Sequence, residues 1–292
     1  MPAPASVPIQ PIQLKGRVQL ANTSRVSQAY SLSAALSPNN IHNAISTVQQ
    51  EYTTGATSKG VALIVNVVNF VNDPDINRFG AQRDTDQLTQ VLQMRNFKVY
   101  QLLDPTTQEL QDTIEQFRLR PFEDVDADAD AFLVAVMSHG NDKEAIYTTD
   151  SLSVDIWSDI VTPFNNVNCP RLVGKPKIFI LNYCRGGVQH DFGIDPNSEH
   201  DALPEHNGPR IPSWSDMLVC YSTVQCHYSY RHNEGTWFIQ ALCEVLRQHA
   251  DPYDIMDLLN VVSEVMKSLR STYGGKQICP YYNIGFTKKF YL

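Results

Sequence analysis

Short apolar runs alternate with amphipathic stretches along most of the chain. Residues 61–70 are rich in β-branched side chains and lead into a turn-forming Asn-Asp-Pro sequence, which predicts a buried strand. Within residues 84–94, leucine and valine recur at helical spacing, and residues 97–103 return to the strand pattern. This part of the sequence therefore predicts a strand, a helix and a second strand in that order.

The same alternation continues to the C-terminus. Thr106 and Thr107 offer a helix start, and residues 131–137 and 177–181 are apolar enough to form buried strands. The remaining predicted elements are helices at 152–164, 236–248 and 252–269, a strand at 217–221, and an extended segment from 277 to the end. Because alternating strands and helices favour a mostly parallel sheet covered on both faces, the predicted fold class is α/β.

Two segments lack this pattern. Residues 1–52 are rich in Pro, Ala, Ser, Gln and Asn and show little periodicity, so we predict a short flexible extension there. Residues 191–212 contain several prolines and glycines among charged residues. Loops of this length within compact proteins are usually functional or disordered.

Composition narrows the classes of function. The 292 residues are 42% hydrophobic and 18% charged, which is enough apolar material for one large core. The net charge of -8 argues against nucleic-acid binding, which depends on clustered lysine and arginine. The longest apolar run is too short to cross a bilayer, and the N-terminus has no secretory signal pattern. We therefore expect a cytoplasmic protein that binds neither membrane nor nucleic acid.

The six cysteines show no CxxC pair and no regular framework. This spacing argues against a zinc site and against a disulfide scaffold. In the cytoplasm, thiols are reduced by default. We therefore predict no metal and no cofactor, and we treat each cysteine as a separate case.

One cysteine and one histidine stand out because each follows a predicted strand. Cys184 comes after the run 177–181, and His139 comes after the run 131–137. Alone, Cys184 is most simply a small buried hydrophobe and His139 a structural imidazole. Ligands collect beyond the carboxyl ends of parallel strands, so together the two residues are a candidate nucleophile and base. Gly140 and the amide of Cys184 are the natural donors to a developing oxyanion.

Several sequence blocks in order resemble the caspases, a family of cysteine peptidases. The blocks are SHG at 138–140, GKPKIFILNYCRGG at 174–187, RIPSWSDMLVCYSTV at 210–224, YSYRHNEGTWFIQALC at 228–243 and KQI at 276–278. The resemblance runs from about residue 59 to residue 292. It implies a caspase-like three-layer sandwich in which a mostly parallel central sheet of about six strands is flanked by helices.

The resemblance also implies roles for individual residues. Cys184 would be the nucleophile, and His139 the general acid and base, oriented by a backbone carbonyl near Ile76. Arg78 and Arg231 would clamp the carboxylate of an aspartate at P1, the substrate residue before the scissile bond, since arginine offers paired donors of this kind. Asn182, Tyr228, Tyr230 and Trp237 would border the substrate. Without the resemblance, the arginines could be surface charges and the aromatic residues could belong to the core.

The implied layout is that of an effector caspase with a short prodomain. Residues 1–52 would be the prodomain and residues 53–292 the catalytic domain. Within that domain, the large subunit would span about 53–190, the linker about 191–212 and the small subunit about 213–292. Cleavage after Asp201 would separate the subunits, because a small residue follows this aspartate in the linker. Asp191 is the other possible cleavage residue, and an acidic loop that only improves solubility is the alternative to cleavage.

The sequence departs from the family at the site itself. Asn182 and Tyr183 precede Cys184 where relatives usually carry Gln and Ala. The shorter amide could lose a hydrogen bond to the P1 side chain, and the larger Tyr183 could overpack the nucleophile. Pro280 and two tyrosines occupy the final segment, which relatives use to dimerise, so we predict poor self-pairing and a chain that prefers a heterodimer with another caspase or stays a monomer.

Two functions therefore remain open. The first is an Asp-specific cysteine endopeptidase of apoptosis or related signalling, and the second is a caspase-like pseudoenzyme that pairs with an active caspase and regulates it. The predicted partners are protein substrates with Asp at P1, a second copy or another caspase as dimer partner, and inhibitor-of-apoptosis proteins. A papain-like hydrolase is the weaker third interpretation, because His precedes Cys along this chain.

Overall fold

The structure is a computed structural model that describes residues 38–53, 58–121, 129–186, 212–232, 234–271 and 275–292. The chain divides between Ile45 and Ser46. Of the first unit, only the beginning of helix α1 (Pro38–Val48) lies in the described part. Tyr52 belongs to the second unit, where its ring is buried against Phe286. The predicted boundary between residues 52 and 53 stays a prediction.

The second unit contains one large sheet and four further α-helices among its described residues. These helices are α2 (Gln82–Met94), α3 (Thr107–Leu119), α4 (Trp237–His249) and α5 (Ile255–Ser268). The strands of the large sheet are β1 (Gly60–Asn66), β2 (Phe97–Leu103), β3 (Ala131–Met137), β6 (Lys177–Asn182), β7 (Met217–Tyr221) and β10 (Tyr281–Ile284). Two hairpins are formed by β4 (Ala145–Tyr147) with β5 (Ser153–Asp155) and by β8 (Arg231–His232) with β9 (Gly235–Thr236).

The large sheet has the order β10-β7-β6-β3-β1-β2. All its neighbouring strands run parallel except β10, which pairs antiparallel with β7. Asn66, Met137 and Asn182 pair side by side, so the carboxyl ends of β1, β3 and β6 are level. The segments that leave these three strands therefore start at one edge of the sheet. The predicted α/β fold with a mostly parallel sheet of six strands is confirmed.

Helices cover both faces of the sheet. Ala62 and Ile64 of β1 face one apolar cluster, which contains residues of α2, α4 and α5. Val61, Leu63 and Val65 face the other, which contains residues of α3 and of the segment 154–172. Alternate side chains of one strand are thus buried on opposite sides, which explains why the central strands are apolar at every position.

Strand β1 ends earlier than the sequence predicts. The apolar run continues to Phe70, but the amides of Val68 and Asn69 donate hydrogen bonds to the carboxylate of Asp104, at 2.5 and 2.9 Å. These two amides therefore bind Asp104, whereas in a longer strand they would pair with a neighbouring strand. The chain is then free to turn towards Arg78, whose amide donates to the carbonyl of Val68 at 2.8 Å.

The helix predicted at 152–164 is wrong in its first part. Residues 153–155 form β5, a π-helical turn covers Ile156–Val161, and a short 3₁₀ turn covers Thr162–Phe164.

By contrast, α3 begins where its cap predicts. The Thr106 hydroxyl accepts a hydrogen bond from the amide of Glu109, and the Glu109 carboxylate accepts one from the amide of Thr106. Among the described residues, no helix combines the length and the apolarity that a bilayer crossing requires.

Candidate active site

His139 and Cys184 occupy equivalent places on neighbouring strands. Met137 at the end of β3 pairs with Asn182 at the end of β6, and each candidate residue lies two positions further along its chain. Both side chains line one cavity of about 300 Å³ beyond the edge of the sheet. The parallel pairing of β3 and β6 therefore brings the predicted base and nucleophile to the same site.

The imidazole of His139 is held by a backbone carbonyl. Its Nε2 lies 2.8 Å from the carbonyl oxygen of Ile76, at the position that the sequence indicated. A carbonyl oxygen can only accept, so this hydrogen bond places the proton on Nε2 and leaves Nδ1 as the basic nitrogen. Burial lowers the pKa of His139 below its ordinary value, and the positive charges of Arg78 and Arg231 lower it further, against the effect of the Ile76 hydrogen bond.

The thiol of Cys184 contacts the backbone of Ser229. The Ser229 amide nitrogen lies 3.4 Å from Cys184 Sγ, and the Ser229 carbonyl oxygen lies 3.8 Å from it. No hydrogen bond joins Cys184 to His139 in the described part of the chain. Hydrogen bonds between catalytic groups are often long or absent until a substrate binds, so this arrangement is compatible with a reactive pair.

The backbone amides of Gly140 and Cys184, beside the thiol, donate to no carbonyl within the described residues, and the same holds for the amides of His139 and Tyr183 that precede them. The amides that follow them, at Asn141 and Arg185, do donate to carbonyls. Gly140 also lies close to Cys184, because a Cβ built at position 140 would stand 2.9 Å from the carbonyl oxygen of Cys184. A pair of free amides next to a nucleophile is the arrangement that stabilises an oxyanion.

Arg78 is 2% exposed and lines the same cavity. Its Nη1 donates to Asn66 Oδ1 at 2.8 Å and to the carbonyl oxygen of Val67 at 2.6 Å. Its Nη2 donates no hydrogen bond to any described residue. The guanidinium is thus fixed at one end by the carboxyl end of β1, and the other nitrogen remains available to a ligand.

Arg231 adds a second positive charge to the cavity. Its side chain is half-buried and makes no hydrogen bond or ion pair within the described part of the protein. Burial and the charge of Arg231 lower the pKa of Arg78 to about 10, and burial also lowers the pKa of Arg231. One buried and one half-buried cation, both with free donors, favour an anionic ligand such as a carboxylate.

The side-chain amide of Asn182 is bound on both sides by the protein. Its Nδ2 donates to Thr236 Oγ1 at 2.9 Å, and its Oδ1 accepts from Ser229 Oγ at 3.1 Å. Asn182 is buried and lines the cavity. A direct contact between this amide and a substrate stays a prediction.

Tyr183 is buried without displacing Cys184 from the cavity. Its hydroxyl donates to Glu144 Oε2 at 3.0 Å, and the same glutamate binds Arg185, whose Nε lies 2.9 Å from Glu144 Oε1. The guanidinium of Arg185 lies in turn over the ring of Tyr221. The large side chain that replaces the expected alanine is therefore part of a buried polar network, with its hydroxyl satisfied.

The predicted aromatic residues separate into two groups. Tyr228 and Tyr230 line the cavity with the two arginines. Trp237 packs against Tyr230, with ring centroids 4.9 Å apart, and lines a different cavity of about 380 Å³ that also includes Val265. The predicted cleavage residue, Asp201, lies outside the described residues.

Sequence reasoning missed four residues that shape the site. Ser229 binds the thiol and Asn182, Thr236 binds Asn182, Asp84 binds the Thr236 amide, and Glu144 binds Tyr183. Ser229 and Thr236 lie inside the block at 228–243 but were not singled out there, and Asp84 and Glu144 lie outside every block that carries the resemblance. Only the helical position of Asp84 gave a signal, because it lies on the same side of α2 as Leu88 and Val91 and should therefore face the core.

Comparisons with known proteins agree with this geometry. The family model of the caspase domain matches residues 59–291. Caspase-7 of Gallus gallus is 32% identical over 224 residues, covering 74% of this chain and 69% of its own length, and Caspase Dronc of Drosophila melanogaster is 30% identical over 261 residues. This chain spans 55% of the length of Caspase Dronc.

A solved structure also matches. The crystal structure of Caspase-1 from Spodoptera frugiperda superposes with a TM-score of 0.68 and 30% identity, over 80% of this chain and 92% of that one. Family match, relatives and fold all cover the part of the chain that carries the site. The chain therefore belongs to the caspase family.

Proposed function

We propose that the protein is a cysteine endopeptidase that cleaves after aspartate and acts in apoptosis or related signalling. The observation that carries the proposal is the pair of free amides, at Gly140 and Cys184, beside a thiol in a cavity that also contains two arginines. An amide pair of this kind assists acyl transfer, and the arginines favour a carboxylate side chain. Family membership supports the same chemistry.

Each step of the reaction has a candidate group. His139 Nδ1 takes the thiol proton, and the Cys184 thiolate attacks the carbonyl carbon of the scissile peptide bond. The carbonyl oxygen becomes an oxyanion that accepts hydrogen bonds from the amides of Gly140 and Cys184. His139 then protonates the leaving amine, and the acyl-enzyme is hydrolysed by water that His139 deprotonates.

The thiol has to leave Ser229 before this sequence can begin. In the structure, Cys184 Sγ accepts from the Ser229 amide at 3.4 Å. This contact is weak compared with a hydrogen bond to oxygen, so rotation of the side chain towards His139 costs little free energy. Substrate binding between the arginines and the thiol would favour the rotated state.

A pseudoenzyme that pairs with an active caspase is the second candidate. The observation in its favour is that the side-chain amide of Asn182, at the position of the usual Gln, is hydrogen-bonded to Thr236 and Ser229 and so is not free for a substrate.

Edge strand β10 carries Tyr282, which is 47% exposed and lies two residues after Pro280. We propose that this edge pairs with a second copy or with another caspase. We also propose that inhibitor-of-apoptosis proteins are further partners and that the protein is cytoplasmic.

Peptide hydrolysis separates the two candidates. Purified protein is incubated with fluorogenic peptides that carry Asp, Glu, Asn or Lys at P1. Cys184→Ala is the inactive variant, and Cys226→Ala is its matched control because Cys226 is also partly exposed. We expect cleavage of the Asp peptide by wild type and by Cys226→Ala only. Cleavage after Lys but not after Asp would contradict the arginine clamp.

Self-cleavage gives an independent test. We expect mass spectrometry to find cleavage after Asp201, and we expect Cys184→Ala to abolish it. If no peptide is cleaved and the purified chain stays intact, the pseudoenzyme becomes the better proposal. Sedimentation of the protein alone and mixed with an active caspase then tests pairing, and a failure to associate with the active caspase would rule that function out.

A further inference from the structure

A buried carboxylate lies beneath the two arginines. Asp84, in the first turn of α2, is 0% exposed. Its Oδ1 accepts a hydrogen bond from the amide of Thr236 at 2.9 Å, and its Oδ2 has no hydrogen-bond partner among the described residues. A buried carboxylate that is only half satisfied is costly, so its presence needs a reason.

The hairpin that carries Arg231 rests directly on this carboxylate. Gly235, the first residue of β9, has a φ of 118°, and a Cβ there would stand 2.4 Å from Asp84 Oδ1. Only glycine allows this approach. The contact places Asp84 under the backbone of the hairpin, of which Arg231 is the first residue.

Asp84 also balances the charge of the cavity. The charged groups that act on it are Arg78, from the loop before α2, and Arg231, from β8. Helix α4 presents to it the Cys243 thiol, whose pKa is raised to about 12 by burial and by Asp84, and α4 also places the neutral amide of Gln240 beside Gly235. At neutral pH, the site therefore carries two positive charges and one negative charge, and a monoanionic ligand would neutralise it.

A continuous series of hydrogen bonds connects Asp84 with the thiol. Thr236 donates its amide to Asp84 and accepts from Asn182 at its hydroxyl. Asn182 accepts from the Ser229 hydroxyl, and the Ser229 amide donates to Cys184 Sγ. The carboxylate thus supports both the cationic and the nucleophilic side of the cavity.

We infer that Asp84 is a positioning residue, the shared counter-charge that holds Arg231 and its hairpin where a substrate carboxylate can reach both arginines. The inference rests on the proposed function, because the ligand in question is a peptide with Asp at P1. The positive charge of Arg231 lowers the pKa of Arg78, so the two guanidinium groups repel each other, and without Asp84 nothing offsets that repulsion from their buried side. Arg78 is fixed by Asn66 and Val67, whereas the side chain of Arg231 has no such bonds to described residues, so Arg231 moves.

The charge of Asp84 is tested by Asp84→Asn, which keeps the shape and the acceptor for Thr236. We expect KM for the P1-Asp peptide to rise about tenfold while kcat changes by less than about twofold, because positioning for binding is lost and the reacting groups are intact. Asp86→Asn is the matched control: this residue is on the same helix and is exposed, and its carboxylate accepts from Gln82 at 3.2 Å and from no other described residue. It should leave both constants unchanged.

The pH dependence of binding gives a second test. Burial raises the pKa of Asp84 to about 6, against the opposing effects of Thr236, Arg78 and Arg231. The negative charge is therefore present above pH 6 and is lost below it. We expect binding of the P1-Asp peptide to weaken as the pH falls through 6 in wild type and not to weaken in Asp84→Asn. Protonation of His139 adds positive charge and would tighten binding, so it cannot cause the weakening.

Binding to Cys184→Ala distinguishes this inference from the proposed function. Fluorescence anisotropy measures the Kd of labelled peptides with Asp or Asn at P1, with and without Asp84→Asn. If Cys184→Ala does not bind the Asp peptide, the proposed function fails and the inference with it. If it binds and Asp84→Asn leaves the Kd unchanged or lowers it, only the inference is overturned.

The two peptides separate positioning from folding. If Asp84→Asn raises the Kd of the Asp peptide alone, the inference is supported. If it raises the Kd of both peptides equally, the inference is overturned in favour of a purely structural role. If Asp84→Asn does not fold, binding by Cys184→Ala that is constant from pH 5 to 7.5 would overturn the inference.

Discussion

The ring of Tyr183 lies directly against the backbone of Gly140. A Cβ built on Gly140 would stand 2.3 Å from Tyr183 Cδ2, well inside the contact distance of two carbon atoms. The carbonyl oxygen of Cys184 would stand 2.9 Å from the same point. The segments that follow β3 and β6 therefore meet without space for a side chain, and this contact keeps the two free amides next to each other.

Gly140→Ala should remove most of the activity. The added methyl group separates the amides of Gly140 and Cys184, and the loss of one oxyanion donor costs about 100-fold or more in kcat. Peptide hydrolysis measures the effect.

Gly174→Ala is the control for Gly140→Ala, because a Cβ at Gly174 meets nothing within 4 Å. Gly174 has a φ of 72°, so this variant should lose about 1 kcal/mol of unfolding free energy and no activity. Full activity of Gly140→Ala would show that its amide does not take part.

Tyr183→Phe should lower stability through one hydrogen bond. The variant leaves the Glu144 carboxylate with Arg185 as its remaining partner and removes a buried contact of 3.0 Å, which should cost about 1 to 2 kcal/mol of unfolding free energy. Tyr183→Ala removes the ring as well and should cost about 3 to 5 kcal/mol. Urea unfolding provides both values.

Tyr281→Phe is the matched control for Tyr183→Phe. The Tyr281 hydroxyl donates to Asn260 at 3.1 Å in an exposed position, so its loss should cost less than about 0.5 kcal/mol. If the two phenylalanine variants are equally stable, the Glu144 contact contributes nothing beyond an exposed hydrogen bond.

Arg78→Lys should fold but bind the P1-Asp peptide poorly. Lysine can occupy the sites at Asn66 and Val67, yet it has no second terminal nitrogen to offer a ligand. We expect kcat/KM to fall about tenfold to 100-fold. The control is Arg83→Lys, since Arg83 is exposed and forms a surface ion pair with Glu234. Equal losses in both variants would indicate a general electrostatic effect instead of a clamp.

The pH dependence of kcat should report His139. Burial lowers the pKa of this imidazole, so the neutral base persists below the ordinary histidine value of about 6.5. As the pH falls further, His139 becomes protonated and kcat decreases. We therefore expect the acidic limb of kcat to be centred below pH 6.5, and we expect it to persist in Asp84→Asn, whose effect is on KM. A limb centred above pH 7 would contradict this assignment.

The pattern of apolar residues was sufficient to predict most of the sheet. Strands at 97–103, 131–137 and 217–221 have the observed bounds because each is a short apolar run between clear turn signals. The helix prediction for 152–164 failed because the apolar spacing of this segment suits a helix, whereas its first residues are extended by the pairing of β5 with β4. Tertiary contact outweighed local preference there.

Tyr183 shows why part of the site could not be predicted. The size of the Tyr183 side chain, taken alone, suggested that it would overpack the space next to Cys184. The structure provides a partner in Glu144, which has a φ of 56° and lies in the loop before β4. No pattern in the sequence indicates that this loop would place a carboxylate at the end of a tyrosine in another segment.

The sequence by itself determined that His139 and Cys184 leave the ends of buried strands, because apolar runs that stop at polar and glycine residues mark strand ends wherever they occur. Only the tertiary structure decided that β3 and β6 are neighbours with level ends, which makes the two residues one site. It also decided the role of Asp84, whose partner Thr236 is 152 residues away along the chain. Contacts over such distances depend on how the elements pack, and a local pattern contains no information about them.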